Sequence, residues 1–180
     1  MNTKKNKQFQ ETHQLLQSLI TKLLSEKDIT KITVSELCKL AQINRSTFYY
    51  HYLDAYDLAE KTFAQTNKEL LTTFKLSKTN EPFSETTFYE FFQFIKDNRH
   101  IYRLTNASRT TFPIDEGLEQ MTELFQSKNL HEVPDKILKG QITFFQAGFT
   151  FLLRNWLLDD CRQPIGELII VLKSFNMIEN

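Results

Sequence analysis

The sequence predicts an all-α protein of about nine helices, a small N-terminal three-helix domain followed by a larger helical one. Three observations carry that prediction. Only four glycines and four prolines occur in 180 residues, too few for a fold built from many tight turns. Apolar side chains recur every three or four residues along most of the chain, the spacing of one helix face. Pro113, Pro134 and Pro164 each head such a pattern, where proline's fixed φ suits the first helical turn.

Each element has a local reason. Residues 1–7 are polar and lysine-rich and are expected as a mobile arm. The first helix runs from Phe9 to about Lys27, with Leu16, Leu19, Ile20, Leu23 and Leu24 on one stripe. The second begins at Thr33. There "TVSE" reads as a capping box, Thr33 accepting from an amide while Glu36 reaches back. Val34, Leu37, Cys38 and Ala41 form its inner side. After a break at Gln42 and Ile43, Asn44 caps a third short helix through "RSTFYYHY". A fourth opens at Asp54, with Asp57 three residues on, and reaches about Leu76.

"LSKTNEP", Leu76 to Pro82, has linker composition. Ser84 then caps a helix carrying Phe88, Phe91, Phe92 and Ile95. A short segment follows from Ile101 to about Ser108. Pro113 opens a helix with Leu118, Met121, Leu124 and Phe125, Pro134 one reaching Leu158, and Pro164 the last, to about Met177. The expected domains are 1–53, a connecting helix at 54–76, and 77–180.

Net charge is zero but uneven. Residues 1–53 hold seven lysines and one arginine against four acids, and 54–180 hold 14 basic against 18 acidic residues. A basic unit ahead of an acidic one suits a polyanionic partner. No apolar run approaches a membrane span, and no apolar segment follows the N-terminal lysines, so neither a membrane anchor nor a signal peptide is expected. Two distant cysteines, Cys38 and Cys161, fit a reducing cytoplasm. The four histidines have no metal spacing, and no phosphate loop or nucleophile motif occurs. No enzymatic activity, metal or cofactor is expected.

The densest chemistry lies in "TVSELCKLAQINRSTFYYHY", Thr33 to Tyr52. Two short helices joined by a tight turn, after a longer one, make a helix-turn-helix pattern. Phe48 and Tyr52 are four apart and share an inward face. Thr33, Asn44, Arg45, Ser46, Thr47, Tyr49, Tyr50 and His51 are the candidate contacts to double-stranded DNA. Arg45 suits guanine or phosphate, the hydroxyls suit phosphate or base edges, and His51 suits phosphate. The tyrosines offer flat apolar bodies and hydroxyls.

"ITVSELCKLAQINRSTFYYHYLDAYDL", Ile32 to Leu58, resembles the DNA-binding region of the TetR/AcrR family of bacterial transcriptional regulators. Thr47, Tyr49, His51 and Tyr52 carry its "T-x-Y-x-H-[aromatic]" signature. The resemblance implies an all-helical homodimer on a palindromic operator, probed by an effector that releases it. It also implies backbone contacts from Thr33, Thr47, Tyr49 and His51, and sequence preference from Arg45, Ser46 and Tyr50. Two positions depart from the pattern. Gln42 stands where the turn glycine is usual, and Ala55 where a lysine usually opens the fourth helix.

"FFQAGFTFLLRNWLLDDCRQPIGELIIVL", Phe144 to Leu172, is similar to the C-terminal domain common in Firmicutes members of that family. Some of those respond through a partner protein. The implied activity is repression, with a coactivator controlled by a sensor protein as the alternative. Gly148, Leu152, Trp156, Leu168 and Leu172 are the expected homodimer contacts. The effector, a small molecule or a protein, is unidentified. Tyr89, Phe92, Arg103, Phe145, Gln146 and Phe149 are its candidate contacts, although the phenylalanines also fit an ordinary core.

Overall fold

The computed structural model describes residues 3–76, 84–104 and 135–175. Among them there are eight α-helices, one short 3-10 turn and no strand. The helices are α1 (Thr3–Glu26), α2 (Val34–Ala41), α3 (Arg45–His51), α4 (Ala55–Leu76), α5 (Glu85–Asp97), α6 (Arg99–Tyr102), α7 (Asp135–Leu158) and α8 (Ile165–Ser174). The described residues are all-helical apart from their turns, as the spacing predicts. The linker after Leu76, most of the segment ending at Ser108, the helix expected at Pro113 and the chain end near Met177 lie outside the described residues. Contacts divide the chain into two compact units, 1–66 and 67–180, with the boundary inside α4.

In the first unit α1 packs on α2, and α2 on α3. Leu16, Ile20 and Leu23 of α1 are buried, as are Leu37, Cys38 and Ala41 of α2, Phe48 and Tyr52 around α3, and Leu58, Ala59 and Thr62 of α4. One difference from the sequence reading lies at the start. Helix α1 begins at Thr3, not Phe9, because residues 3–8 contain neither glycine nor proline to stop it.

The caps fix where α2, α3 and α4 begin. Thr33 Oγ1 accepts from the Glu36 amide at 3.2 Å. The Glu36 carboxylate does not reach back. It binds the Lys27 ammonium at 2.6 and 2.7 Å and ties α2 to the end of α1. Asn44 Oδ1 accepts from the Thr47 amide at 2.7 Å. Asp54 accepts from the Asp57 amide at 2.8 Å, and Asp57 accepts from the Leu53 amide at 2.9 Å. Burial opposes charge on Asp57, yet the Leu53 amide and Lys61 hold its carboxyl below the usual carboxylate range.

Helix α2 ends in a Schellman turn. The Ile43 amide binds Cys38 O at 3.0 Å, the Gln42 amide approaches Lys39 O at 3.4 Å, and Gln42 is left-handed with φ 55°. The usual glycine at this position has the same physical cause, since a Cβ is disfavoured there. Ala55 is buried at the first position of α4. A lysine at this position would need its stem to run outward from a packed site.

In the second unit α5 packs on α8 and on α6. Buried Phe88, Phe92 and Ile95 of α5, Leu138, Ile142, Phe145, Phe149, Leu153, Trp156 and Leu157 of α7, and Leu168, Ile169 and Leu172 of α8 form its interior. A second left-handed turn closes α7, with Asp160 and Cys161 both at φ 56°. The Cys161 amide binds Trp156 O at 2.9 Å, and the Trp156 indole donates to Gln163 O at 2.9 Å. Burial pushes the Cys161 thiol up to about 11, so it stays protonated and unreactive near neutral pH.

Gln42→Gly is expected to stabilise the first unit by about 1 kcal/mol, by removing a Cβ from a left-handed residue. Urea unfolding followed by circular dichroism reads this as a higher midpoint with an unchanged slope.

Candidate nucleic-acid interface

A seven-residue helix has too few internal hydrogen bonds to persist alone. Helix α3 is held from within by Phe48, fully buried, and Tyr52, almost so. Burying a side chain of that size contributes about 1.5–3 kcal/mol. Aromatic rings fix its orientation on α1. Phe9 stacks on His51 with centroids 4.1 Å apart, and His13 stacks on Tyr52 at 5.4 Å. The Tyr52 hydroxyl lies 2.7 Å from His13 Nδ1. Burial, with the Asp57 charge nearby, pushes the Tyr52 phenol up, so its hydroxyl stays protonated. From α4, the Lys61 ammonium sits 5.5 Å above the same ring.

This anchoring leaves one face of α3 outward. Arg45, Ser46, Tyr49 and Tyr50 are exposed, as are Asn44 before the helix and Thr33 at the head of α2. Tyr50 is 70% exposed. Its ring meets Phe9 edge-on at 5.6 Å, so α1 orients it without covering it. Tyr49 meets Phe48 edge-on at 5.7 Å. The Ser46 and Thr47 hydroxyls lie 2.7 and 2.9 Å from Asn44 Oδ1 and donate to it. Thr47 is half-buried. Either hydroxyl can donate to a phosphate only by leaving Asn44; otherwise it offers lone pairs.

His51 departs from the outward set. It is half-buried, and its Nδ1 is buried without a hydrogen-bond partner. Burial first, then repulsion from His13, lowers its basicity. It is therefore a neutral ring clamped by Phe9, not a cation facing outward. The clamp partners Phe9 and His13 were missed in the sequence. Their signal was present: 9, 13, 16 and 20 continue the buried face of Leu16 and Ile20. Leu53 and Tyr56 were also missed, and add exposed apolar surface immediately after α3.

The second unit disperses the effector candidates. Phe92, Phe145 and Phe149 are buried against one another, Phe149 lying 5.9 Å from Phe92 and 5.5 Å from Phe145. Trp156 meets Phe92 edge-on at 5.5 Å. Those rings fill the interior as packing. Tyr89 is exposed on α5, and Gln146 is half-buried on α7. Arg103 is committed, with Arg99, to Asp160 Oδ1, each at 3.3 Å.

The dimer candidates also separate. Trp156, Leu168 and Leu172 are buried within the chain's own second unit, so they are not free to meet a second copy. Gly148 is exposed and Leu152 half-buried. The opposite side of α7 exposes Ile137, Phe144, Phe151 and Leu158, spaced seven apart. A Cβ built at Gly140 or Gly148 would meet nothing within 4 Å, so nothing inside the described chain requires those glycines.

Among the described residues no group of three or more His, Cys, Asp or Glu could hold a metal ion. No helix among them is long and apolar enough to cross a membrane. No family model matches the chain, and no curated protein matches it.

Tyr52→Phe is expected to destabilise the first unit by about 1 kcal/mol, the usual worth of one lost hydrogen bond. Tyr50→Phe, on an exposed ring, should stay within about 0.5 kcal/mol of the parent. Urea unfolding of both variants compares the two.

Proposed function

We propose that the protein is a DNA-binding transcriptional regulator of the TetR/AcrR kind, acting as a homodimeric repressor on a palindromic operator. The observation that carries this reading is α3 itself. It is anchored by Phe48 and Tyr52 and turns Arg45, Tyr49 and Tyr50 outward together on one short helix. That arrangement suits a recognition helix, whose first turns meet base edges while flanking residues hold phosphates. The excess of basic residues over residues 1–53 supports it. In this reading Arg45, Ser46 and Tyr50 set sequence preference, while Thr33, Asn44, Thr47 and Tyr49 hold the backbone. His51 acts by positioning α3.

Two-fold symmetry requires a self-complementary surface. The exposed stripe Ile137, Phe144, Phe151 and Leu158, with Gly140 and Gly148 permitting close approach, fits a second copy of α7. A seven-residue repeat of this kind is the seam of paired helices. An effector, still unidentified, would release DNA by favouring a head separation that no longer matches grooves about 34–36 Å apart.

Selection of bound duplexes from a random pool, then fluorescence anisotropy, tests the reading. Arg45→Ala and Tyr50→Ala should each weaken the selected duplex by about 1–3 kcal/mol and relax its preference. Arg45→Ala should also lower the salt slope by about one if its partner is a phosphate. Selection that enriches no sequence, and no duplex binding at low salt, would reject the proposal.

Phe144→Glu combined with Phe151→Glu is expected to halve the mass in sedimentation while leaving the helical signal intact, since these rings are 70% and 64% exposed. Trp156→Ala should instead destabilise the chain itself, by about 3–5 kcal/mol.

A further inference from the structure

Arg99 and Arg103 stand one turn apart, with the Arg103 amide on Arg99 O at 2.9 Å, so their side chains leave the same face. They converge on a single atom. Arg99 Nε and a terminal nitrogen of Arg103 each lie 3.3 Å from Asp160 Oδ1. Charge-assisted bonds of this kind usually close to about 2.7–2.9 Å, and an arginine commonly grips both oxygens of a carboxylate at once. Neither holds here. Among the described residues each guanidinium gives Asp160 one long bond, and both bonds fall on the same oxygen.

The tether explains the poor fit. Asp160 is left-handed, with φ 56°. Its amide binds Leu157 O at 3.1 Å, and the next amide, of Cys161, binds Trp156 O at 2.9 Å. A short side chain on a backbone fixed in this way brings one oxygen to the pair. Two guanidiniums on one carboxylate also leave a positive charge over. Lys96 adds to it, since it acts with Arg99 and Arg103 on Cys161. The nearby Asp97 is engaged by the Gln93 side-chain amide at 2.9 Å.

We propose that Arg99 and Arg103 form a clamp for a small oxyanion, a carboxylate or a phosphate monoester, and that Asp160 is its tethered occupant, displaced when the free anion binds. An untethered anion offers two or more oxygens and meets a guanidinium as a fork. Displacing Asp160 costs little. The Arg99, Arg103 and Asp160 side chains are 33%, 46% and 45% exposed, and ion pairs so open to water contribute little to stability. The displaced carboxylate turns to solvent while the amide bonds keep the turn. The clamp lies within the second unit and stands apart from the DNA-binding reading, because its test reads anion binding alone. Under that reading it is also where an effector would act, since Asp160 ties α6 to the end of α7.

The test follows the arginine Nε–H signals of the full-length chain by NMR at fixed pH and ionic strength. Inorganic phosphate and sodium acetate are titrated separately, each in exchange for chloride. The Arg99 and Arg103 signals should move with at least one of the two, and which one moves them decides the ligand class. Asp160→Asn removes the charge but keeps a residue type that tolerates the left-handed turn. It should bind about tenfold more tightly than the parent, the worth of two exposed ion pairs. Arg99→Gln and Arg103→Gln should each weaken binding by about tenfold or more, and Arg99→Lys, which keeps the charge without the fork, should recover only part of it. Should a glutamine variant fail to fold, the parent and Asp160→Asn still decide. Unmoved Arg99 and Arg103 signals in Asp160→Asn reject the clamp, as does an Asp160→Asn affinity no higher than the parent's. Binding that survives both glutamine changes undiminished also rejects it. So does binding in Asp160→Asn with none in the parent, because Asp160 would then be a lasting partner and not a displaceable one.

Discussion

Helix α3 depends on the seam of rings between it and α1. Seven residues form barely two turns, and their own hydrogen bonds do not sustain a helix in water. Phe48 supplies burial, but burial alone does not set rotation about the helix axis. The Phe9–His51 stack and the Tyr52–His13 hydrogen bond do. They fix how α3 turns on α1, through a face contact at His51 and a hydrogen bond at Tyr52. With that rotation fixed, Arg45, Tyr49 and Tyr50 are exposed together. A ring that packs on α1 and a ring that remains free therefore stand side by side in the sequence, each with its own physical task.

The second unit divides its apolar residues differently. One face of α7 carries Phe145, Phe149, Leu153 and Trp156 into the interior, where they meet the phenylalanines of α5. The other face carries exposed aromatic and aliphatic side chains seven residues apart. One helix thus has two apolar stripes, and only one is used within the described chain. Exposed apolar residues aligned over a whole helix are uncommon on a monomer. That is the physical ground for assigning the free stripe to a second copy.

Helical periodicity and cap residues were legible because each is a local property. Thr33, Asn44, Ser84 and Asp54 each cap the helix their position suggests. Gln42 was legible too: a turn that usually takes glycine does place this residue at positive φ. What escaped was tertiary. Nothing within "STFYYHY" says which ring α1 will cover, so His51 reads as outward until Phe9 is seen stacked upon it. Glu36 fits a capping box by spacing, yet Lys27, just past the end of α1, takes its carboxylate. Trp156, Leu168 and Leu172 read as homodimer contacts along the sequence. They are interior once α5 packs on α8, and the exposed stripe lies on the other side of α7.

The central claim is that one side of α3 is anchored and the other engages DNA. Fluorine NMR of the full-length chain with 3-fluorotyrosine tests it most directly, because Tyr49 and Tyr50 lie on the exposed side of α3 and Tyr52 on the anchored side. Adding a selected duplex should move the resonances of Tyr49 and Tyr50 while those of buried Tyr52 and Tyr102 stay in place. Unmoved Tyr49 and Tyr50 resonances in a duplex-bound sample would contradict the account, as would a response confined to Tyr52.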